Sequence, residues 1–270
     1  MARTPLDSGQ TALITGASSG IGEALAQRFA RAGFNLVLVA RSADRLQVLA
    51  RVLKVAHGIK VWVAPADLSL PEAPQKLCAA MKRARRPIDV LVNNAGVLAH
   101  GSFVDMPARR HRELIELNVN GLTQMLVQFI PGMVARGRGR VLNVASIAAF
   151  QPVPTLATYA ATKAYVLSLT ESLAEELDGT GVTVTALCPG ITATPMLRHA
   201  RQASPELSKL PGFVVGSVAD VADEGFEACM QGDVIRVPGV LNLAAILAGR
   251  ATPKWLLRRV SGAVVRGMRR

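Results

Sequence analysis

The sequence predicts one doubly wound α/β domain, a seven-stranded parallel sheet with helices on both faces. Three observations predict it. Short runs rich in β-branched residues, apolar on both faces, alternate along the chain with stretches of helical spacing. A glycine-rich turn, Thr15-Gly16-Ala17-Ser18-Ser19-Gly20-Ile21-Gly22, joins the first such run to the first helical stretch. Half of the 270 residues are hydrophobic and only 19% are charged, which excludes a disordered chain and leaves ample length to bury a core.

The strand-like runs lie at 11–15, 35–39, 59–64, 90–92, 141–145, 182–187 and 234–237. Between the first of them, Ile21, Leu25 and Phe29 repeat at helical spacing before Gly33, and Leu46, Leu49 and Leu53 before Gly58. Both glycines stand where a left-handed helix end is wanted, and Ser42 has the position of an N-cap. No linker or internal repeat divides residues 1–249, which read as one domain. The segment 191–218 breaks the rhythm with Pro195, Pro205, Pro211 and two glycines. It reads either as a lid over a ligand or as a surface excursion.

Composition removes several classes of function. Cys78, Cys188 and Cys229 are odd in number and lack Cys-x-x-Cys spacing, so neither a disulfide scaffold nor a thiolate zinc site is expected. His57, His100, His111 and His199 never pair at ligand spacing, and no metal is expected. Of the net charge of +12, seven units fall in residues 250–270, which hold no acidic residue, leaving +5 for the other 249. A nucleic-acid-binding core is therefore not expected. Residues 1–10 have no apolar core for a secretion signal. The charge-free stretch 237–249 is broken by Pro238 and too short for a membrane span, which needs about 20 residues. A cytoplasmic protein follows as the expectation.

In the tail 250–270, Leu257, Val260, Val264 and Met268 recur at helical spacing, with Trp255 at the start and Arg258, Arg259, Arg266 and Arg269 largely elsewhere. Such a basic amphipathic helix suits peripheral membrane contact. It equally suits packing on the protein itself, on a partner subunit or over a pocket, and a disordered end is the third reading.

The glycine-rich turn has the context of a phosphate-binding turn, where Gly16, Gly20 and Gly22 let the backbone approach a pyrophosphate and the helix N-terminus supplies positive charge. The second strand then decides which dinucleotide is bound. An acidic residue at its end would suit a ribose 2′-hydroxyl, but Leu38-Val39-Ala40 is followed by Arg41, and no carboxylate comes before Asp44. Arginine suits a 2′-phosphate, and Ser18 and Ser19 could add contacts. NADP(H) is therefore expected over NAD(H), unless Arg41 merely caps a surface loop.

Tyr159 and Lys163, four residues apart, share one helix face. A free phenol has a pKa near ~10, and a neighbouring ammonium would bring it toward the working range. Ser146 ends the fifth strand, where parallel strands deliver ligand-facing groups, and its hydroxyl could hold a carbonyl oxygen that gains charge.

Taken in order, these motifs resemble the short-chain dehydrogenase/reductase superfamily, together with Asp67-Leu68, Asn93-Asn94-Ala95-Gly96, Asn118, and Pro189-Gly190 followed by Thr192 and Thr194. The resemblance covers residues 11–239. It implies that Asp67 and Leu68 contact adenine, that Asn94, Ala95 and Gly96 line the central part of the cofactor, and that Pro189, Gly190, Thr192 and Thr194 hold the nicotinamide carboxamide. It also implies a catalytic tetrad of Asn118, Ser146, Tyr159 and Lys163. Tyr159 is then the general acid, Lys163 binds the nicotinamide ribose and depresses the tyrosine pKa, and Asn118 holds a water linking Lys163 to solvent. Homo-oligomers through the long helices bearing Asn118 and Tyr159 are implied as well. The stretch Ile235-Arg236-Val237-Pro238-Gly239 with its basic tail is similar to bacterial reductases related to hydroxysteroid and long-chain 3-ketoacyl reductases.

The expected activity is NADP(H)-dependent interconversion of a ketone or aldehyde and an alcohol on a small hydrophobic substrate. The alternatives are a 3-oxoacyl thioester reductase of lipid metabolism and a nucleotide-binding scaffold acting through its tail. The pocket should be built from Ile147, Phe150, Val153, His100 and the 191–218 segment. His100 either contacts a polar substituent or is a solvent-exposed loop histidine.

Overall fold

The computed structural model describes residues 9–203, 215–240, 242–244 and 246. The tail 250–270 and the middle of the 191–218 segment, residues 204–214, lie outside the described residues, and so do the readings placed on them.

Seven strands form one parallel sheet in the order β3-β2-β1-β4-β5-β6-β7: β1 (Thr11–Thr15), β2 (Asn35–Ala40), β3 (Val61–Pro65), β4 (Val90–Asn93), β5 (Gly139–Val144), β6 (Val182–Leu187) and β7 (Ile235–Arg236). The expected fold is the one observed. Boundaries move most in β3 and β5, each by two residues at its start and one at its end. β3 starts two residues late because the Lys60 N–H is taken by Asn35 Oδ1 at 2.9 Å. It ends on Pro65, tolerable on an edge strand because proline has no N–H to offer a further neighbour. β7 pairs only through Ile235 and Arg236, with Ala186 and Leu187.

Helices cover both faces because successive strand residues point to opposite sides. In β1, Ala12 and Ile14 join the core under α1 (Gly20–Arg31), α2 (Ala43–His57) and a late helix, α8 (Val218–Gln231), while Leu13 joins the core on the other face. Phe29 meets Phe34 and Phe226 edge to face, with centroids 5.2 and 4.8 Å away. Each such pair adds about 0.5–1.5 kcal/mol to the burial itself. Opposite, α3 (Ala73–Arg83), α5 (Leu122–Val134) and α6 (Ala157–Glu176) bury Leu77, Met125, Leu126, Met133 and Val166. α4 (Ala108–Ile115) runs into α5 through a π-helical segment, Glu116–Gly121, and α7 (Pro195–Ala203) follows β6.

Gly58 caps α2 at φ +68°, in the left-handed conformation expected. Ser42 stands at the N-cap of α2, but its hydroxyl makes no cap hydrogen bond, so the first-turn N–H groups of that helix receive no side-chain partner there. Among the described residues, no helix is long and apolar enough to cross a membrane.

The sheet order reverses between β1 and β4, the two strands that lie side by side at its centre. Their connections leave in opposite directions, so a crevice opens beyond their C-terminal ends.

Candidate active site

The crevice is built first by the turn after β1. Thr15 Oγ1 donates to the Val92 carbonyl at 3.1 Å and accepts the N–H groups of Asn94 and Ala95 at 2.9 and 3.0 Å, which ties the ends of β1 and β4 together. Asn94 Nδ2 donates to the carbonyls of Thr15 and Gly16 at 2.9 and 3.3 Å. Gly16 has φ +65°, and a Cβ there would lie 2.7 Å from Asn94 Nδ2. A Cβ on Gly22 would run into the Gly16 carbonyl. Gly22 therefore lies beneath the turn rather than on the cavity wall. Ser19 occupies the N-cap of α1 without capping it through its side chain. Ser18, Ser19, Gly20 and Ile21 line the cavity at that helix N-terminus.

Arg41, after β2, reaches the same cavity together with Ser42 and Arg45, a residue the sequence reading missed. Its signal was present: Arg45 lies one helical turn beyond Arg41 at the start of α2. Asp67 accepts from the Ser69 N–H and hydroxyl at 3.1 and 2.7 Å. Burial pushes the Asp67 carboxyl up, but the two Ser69 hydrogen bonds and the charge of Arg41 outweigh it and hold it below its ordinary value. Leu68 is buried beside it, and its carbonyl leaves no room for a Cβ at Gly121.

Across the crevice, Ser146 follows β5 and accepts the Ala148 N–H at 3.1 Å through its hydroxyl. Tyr159 and Lys163 come from the first turns of α6. That helix is tied to the sheet by a buried chain in which Asn93 Nδ2 donates to Asn143 Oδ1 at 2.9 Å and Asn143 Nδ2 donates to Thr170 Oγ1 at 3.0 Å. The Ser146 hydroxyl faces the Tyr159 phenol. Lys163 is 6% exposed, and its Nζ donates to the Val144 carbonyl at 2.8 Å and lies 5.8 Å from the Tyr159 ring centroid.

Burial pushes the phenol of Tyr159 up, and the Ser146 hydroxyl only partly offsets this. The expected downward pull of Lys163 is not among the causes of the shift, in which burial is the largest. Burial also lowers the Lys163 ammonium to about 8, with Cys188 acting weakly the other way.

Asn118 does not reach the cavity. It is 1% exposed within the π-helical segment. Its Oδ1 accepts the Val97 N–H at 2.9 Å, while its Nδ2 donates to the Val97 carbonyl at 2.9 Å and to Thr162 Oγ1 at 3.2 Å. Gly96 passes between: a Cβ there would lie 3.2 Å from Asn118 Oδ1 and 3.6 Å from Lys163 Nζ. The chain after β6 closes the wall. Ile147 donates its N–H to the Pro189 carbonyl at 3.0 Å, Thr192 Oγ1 donates to the Gly190 carbonyl at 3.0 Å, and Thr194 Oγ1 accepts the Leu197 N–H at 3.3 Å. Thr194 also packs over Gly20, where a Cβ would be 3.3 Å from its methyl group.

The resulting cavity measures about 910 Å³ and brings together the predicted site residues except Gly22 and Asn118. Its far end is walled by Leu98, Ile147, Val153, Leu156, Ile191 and Met196, with His100, Gln151 and Thr155 as polar members. Phe150 is not on this wall and packs against the core instead. His100 is partly buried and hydrogen-bonded to Thr155, not a solvated loop residue.

The family model described as short chain dehydrogenase matches residues 10–205. Oxidoreductase UcpA of Escherichia coli (strain K12) is 41% identical over 203 residues, covering 73% of this chain and 75% of its own. A short-chain dehydrogenase from Sphingobium yanoikuyae in complex with NADPH is 35% identical, with a TM-score of 0.80 over 90% of this chain and 94% of its own. A relative from Burkholderia phymatum in complex with NAD is 28% identical, with a TM-score of 0.79 over 90% and 93%. A 7β-hydroxysteroid dehydrogenase is 28% identical, with a TM-score of 0.84 over 94% and 96%.

Proposed function

Since this chain belongs to the short-chain dehydrogenase family, and is an NAD(P)-dependent oxidoreductase of alcohols and carbonyls, we propose that it is an NADP(H)-dependent reductase of a hydrophobic ketone or aldehyde with Tyr159 as its acid and base. The observation that carries the reading is the convergence of Ser146, Tyr159 and Lys163 on one cavity with the glycine-rich turn.

The nucleotide end fits a dinucleotide. Gly16 and Gly22 let the turn close tightly on Asn94, where a Cβ would clash, the N-terminus of α1 has no side-chain cap, and Arg41 and Arg45 stand at the uncapped start of α2. Asp67 and Leu68 would face adenine, Asn94 fixes the turn so that Ala95 and Gly96 can line the middle, and Pro189, Gly190, Thr192 and Thr194 would hold the carboxamide. When bound, the nicotinamide supplies a hydride to the carbonyl carbon.

The chain's own residues handle the proton. Tyr159 gives its phenolic proton to the carbonyl oxygen. Ser146 accepts from Ala148, and its own hydrogen, which faces the phenol, would donate to that same oxygen once a carbonyl stands there. Lys163 holds the ribose. Asn118 Oδ1 accepts only the Val97 N–H among the described residues and keeps a lone pair near Lys163 for a water. Leu98, Val153, Leu156, Ile191 and Met196 favour an apolar substrate body.

Consumption of NADPH with a panel of aliphatic, cyclic and steroidal ketones and a 3-oxoacyl thioester tests the reading. A preference for the thioester would make the protein a lipid-metabolic reductase. Binding of NADPH without any turnover would make it a scaffold and overturn the enzyme reading.

Arg41→Asp removes the cation expected at the 2′-phosphate and adds a repelling charge. NADPH affinity should fall by at least about tenfold, while NADH affinity holds or improves. Titration of both nucleotides checks this, and equal affinity of the wild type for both would show that Arg41 does not touch a phosphate.

The outer faces of α4, α5 and α6 leave Ile115, Val127, Val134 and Tyr165 exposed, at 43, 55, 37 and 39%. We assign them to association between copies of the chain. Light scattering should then return a multiple of the chain mass, and a single-chain mass would exclude it. A cytoplasmic location, with tail 250–270 available to a membrane surface, completes the reading.

A further inference from the structure

Thr155 is a β-branched residue with φ +69°, in the left-handed region that glycine tolerates and threonine avoids. Such backbone persists only where its surroundings over-determine it. Here both holding contacts come from one dipeptide on another loop. The Gly101 N–H donates to the Thr155 carbonyl at 2.9 Å, and His100 Nε2 lies 2.9 Å from Thr155 Oγ1. The only hydrogen of that hydroxyl goes to the Pro154 carbonyl at 2.5 Å, so toward His100 the hydroxyl can only accept. His100 must therefore present an Nε2–H, and both the neutral ring protonated there and the imidazolium do so.

The strained residue stands immediately before the helix that holds the proton donor. Leu156 follows it and accepts the Ala160 N–H at 2.8 Å in the opening turn of α6, and Tyr159 lies in that turn. The dipeptide belongs to the loop after β4 that begins with Asn94, Ala95 and Gly96. His100 and Thr155 both line the cavity. We propose that His100 is a positioning residue for Tyr159: with Gly101 it holds Thr155 in its left-handed conformation, which sets how the chain enters α6 and where the phenol stands against Ser146. The inference rests on the reading of Tyr159 as proton donor, but the hold on the helix entry can be tested without a substrate.

The test compares wild type, His100→Ala, His100→Gln and the double variant His100→Ala/Thr155→Gly. Hydrogen exchange reads segments 98–106 and 151–163. In a Tyr165→Phe background with fluorotyrosine, the single fluorine resonance reports Tyr159, since the chain has only these two tyrosines. His100→Ala should speed exchange in both segments and shift or broaden the Tyr159 resonance, with the melting temperature nearly unchanged. His100→Gln places an amide N–H where Nε2–H stood and should restore both. Glycine adopts the left-handed conformation unaided, so the double variant should recover much of the order lost in the single one. With the ketone that the wild type reduces fastest, kcat of His100→Ala should fall about tenfold at unchanged NADPH KM, because a misplacement of about 1 Å is felt strongly in the transition state.

An unchanged Tyr159 resonance and unchanged exchange in His100→Ala would overturn the proposal. So would a double variant more disturbed than the single one, which would make the contact ordinary packing. A wild type that reduces no ketone defeats the proton-donor reading alone, and the exchange and fluorine data still decide what His100 does.

Discussion

Tyr159→Phe should lower turnover by about 10²–10⁴, the usual worth of a positioned general acid, while NADPH binds as before. The substitution removes one oxygen and its proton and keeps the ring, so the packing of α6 is preserved. Burial keeps the phenol protonated to a higher pH than a free tyrosine, which suits a donor to a carbonyl oxygen. Without it, the oxygen that gains charge keeps only the Ser146 hydrogen bond in a wall of mostly apolar groups. Steady-state kcat and NADPH affinity together check the expectation. A variant that kept most of its activity on a good substrate would mean that another group delivers the proton.

Lys163→Ala should be at least as damaging and fail in two ways, losing the ribose contact along with the ammonium beside the phenol. NADPH affinity falls here, which separates this variant from Tyr159→Phe. The pH dependence adds an independent check. Burial holds Lys163 at about 8, against 10.5 for the free group. In the free wild-type protein, kcat/KM for NADPH should therefore decline as pH rises through about 8, because the ammonium is lost. Stability moves the opposite way. Between about 8 and 10.5 the unfolded chain binds a proton that the native state does not, so stability rises with pH across that window, by on the order of 3 kcal/mol. Below it, the buried ammonium is a constant burden. Burial pushes the Cys229 thiol up to about 12 and acts against this rise above about 9 in both proteins, so the difference between wild-type and Lys163→Ala melting curves should grow across the window; parallel curves would mean that Lys163 ionises normally.

What the sequence determined by itself is whatever depends on neighbours in the chain. Buried parallel strands announce themselves as short runs apolar on both faces, which is why all seven were legible, with ends that moved by at most two residues. A glycine-rich turn between strand and helix, an arginine after Val39, and a tyrosine four residues before a lysine are local patterns, and the structure brings all three to one cavity. The tertiary structure alone decided how distant groups pair. Asn118 is buried through its carboxamide bonds to Val97 and Thr162, residues 21 and 44 positions away. Phe150 stands four residues from Ser146 yet turns to the core, because the short turn at Ile147–Ala149 redirects the chain. The left-handed backbone of Thr155 contradicts its local preference and is held by His100 and Gly101, more than fifty residues away. Long-range hydrogen bonds of this kind leave no periodicity in the sequence, and burial, which the sequence specifies only as a pattern, sets the proton affinities of Tyr159 and Lys163 once the chain has closed around them.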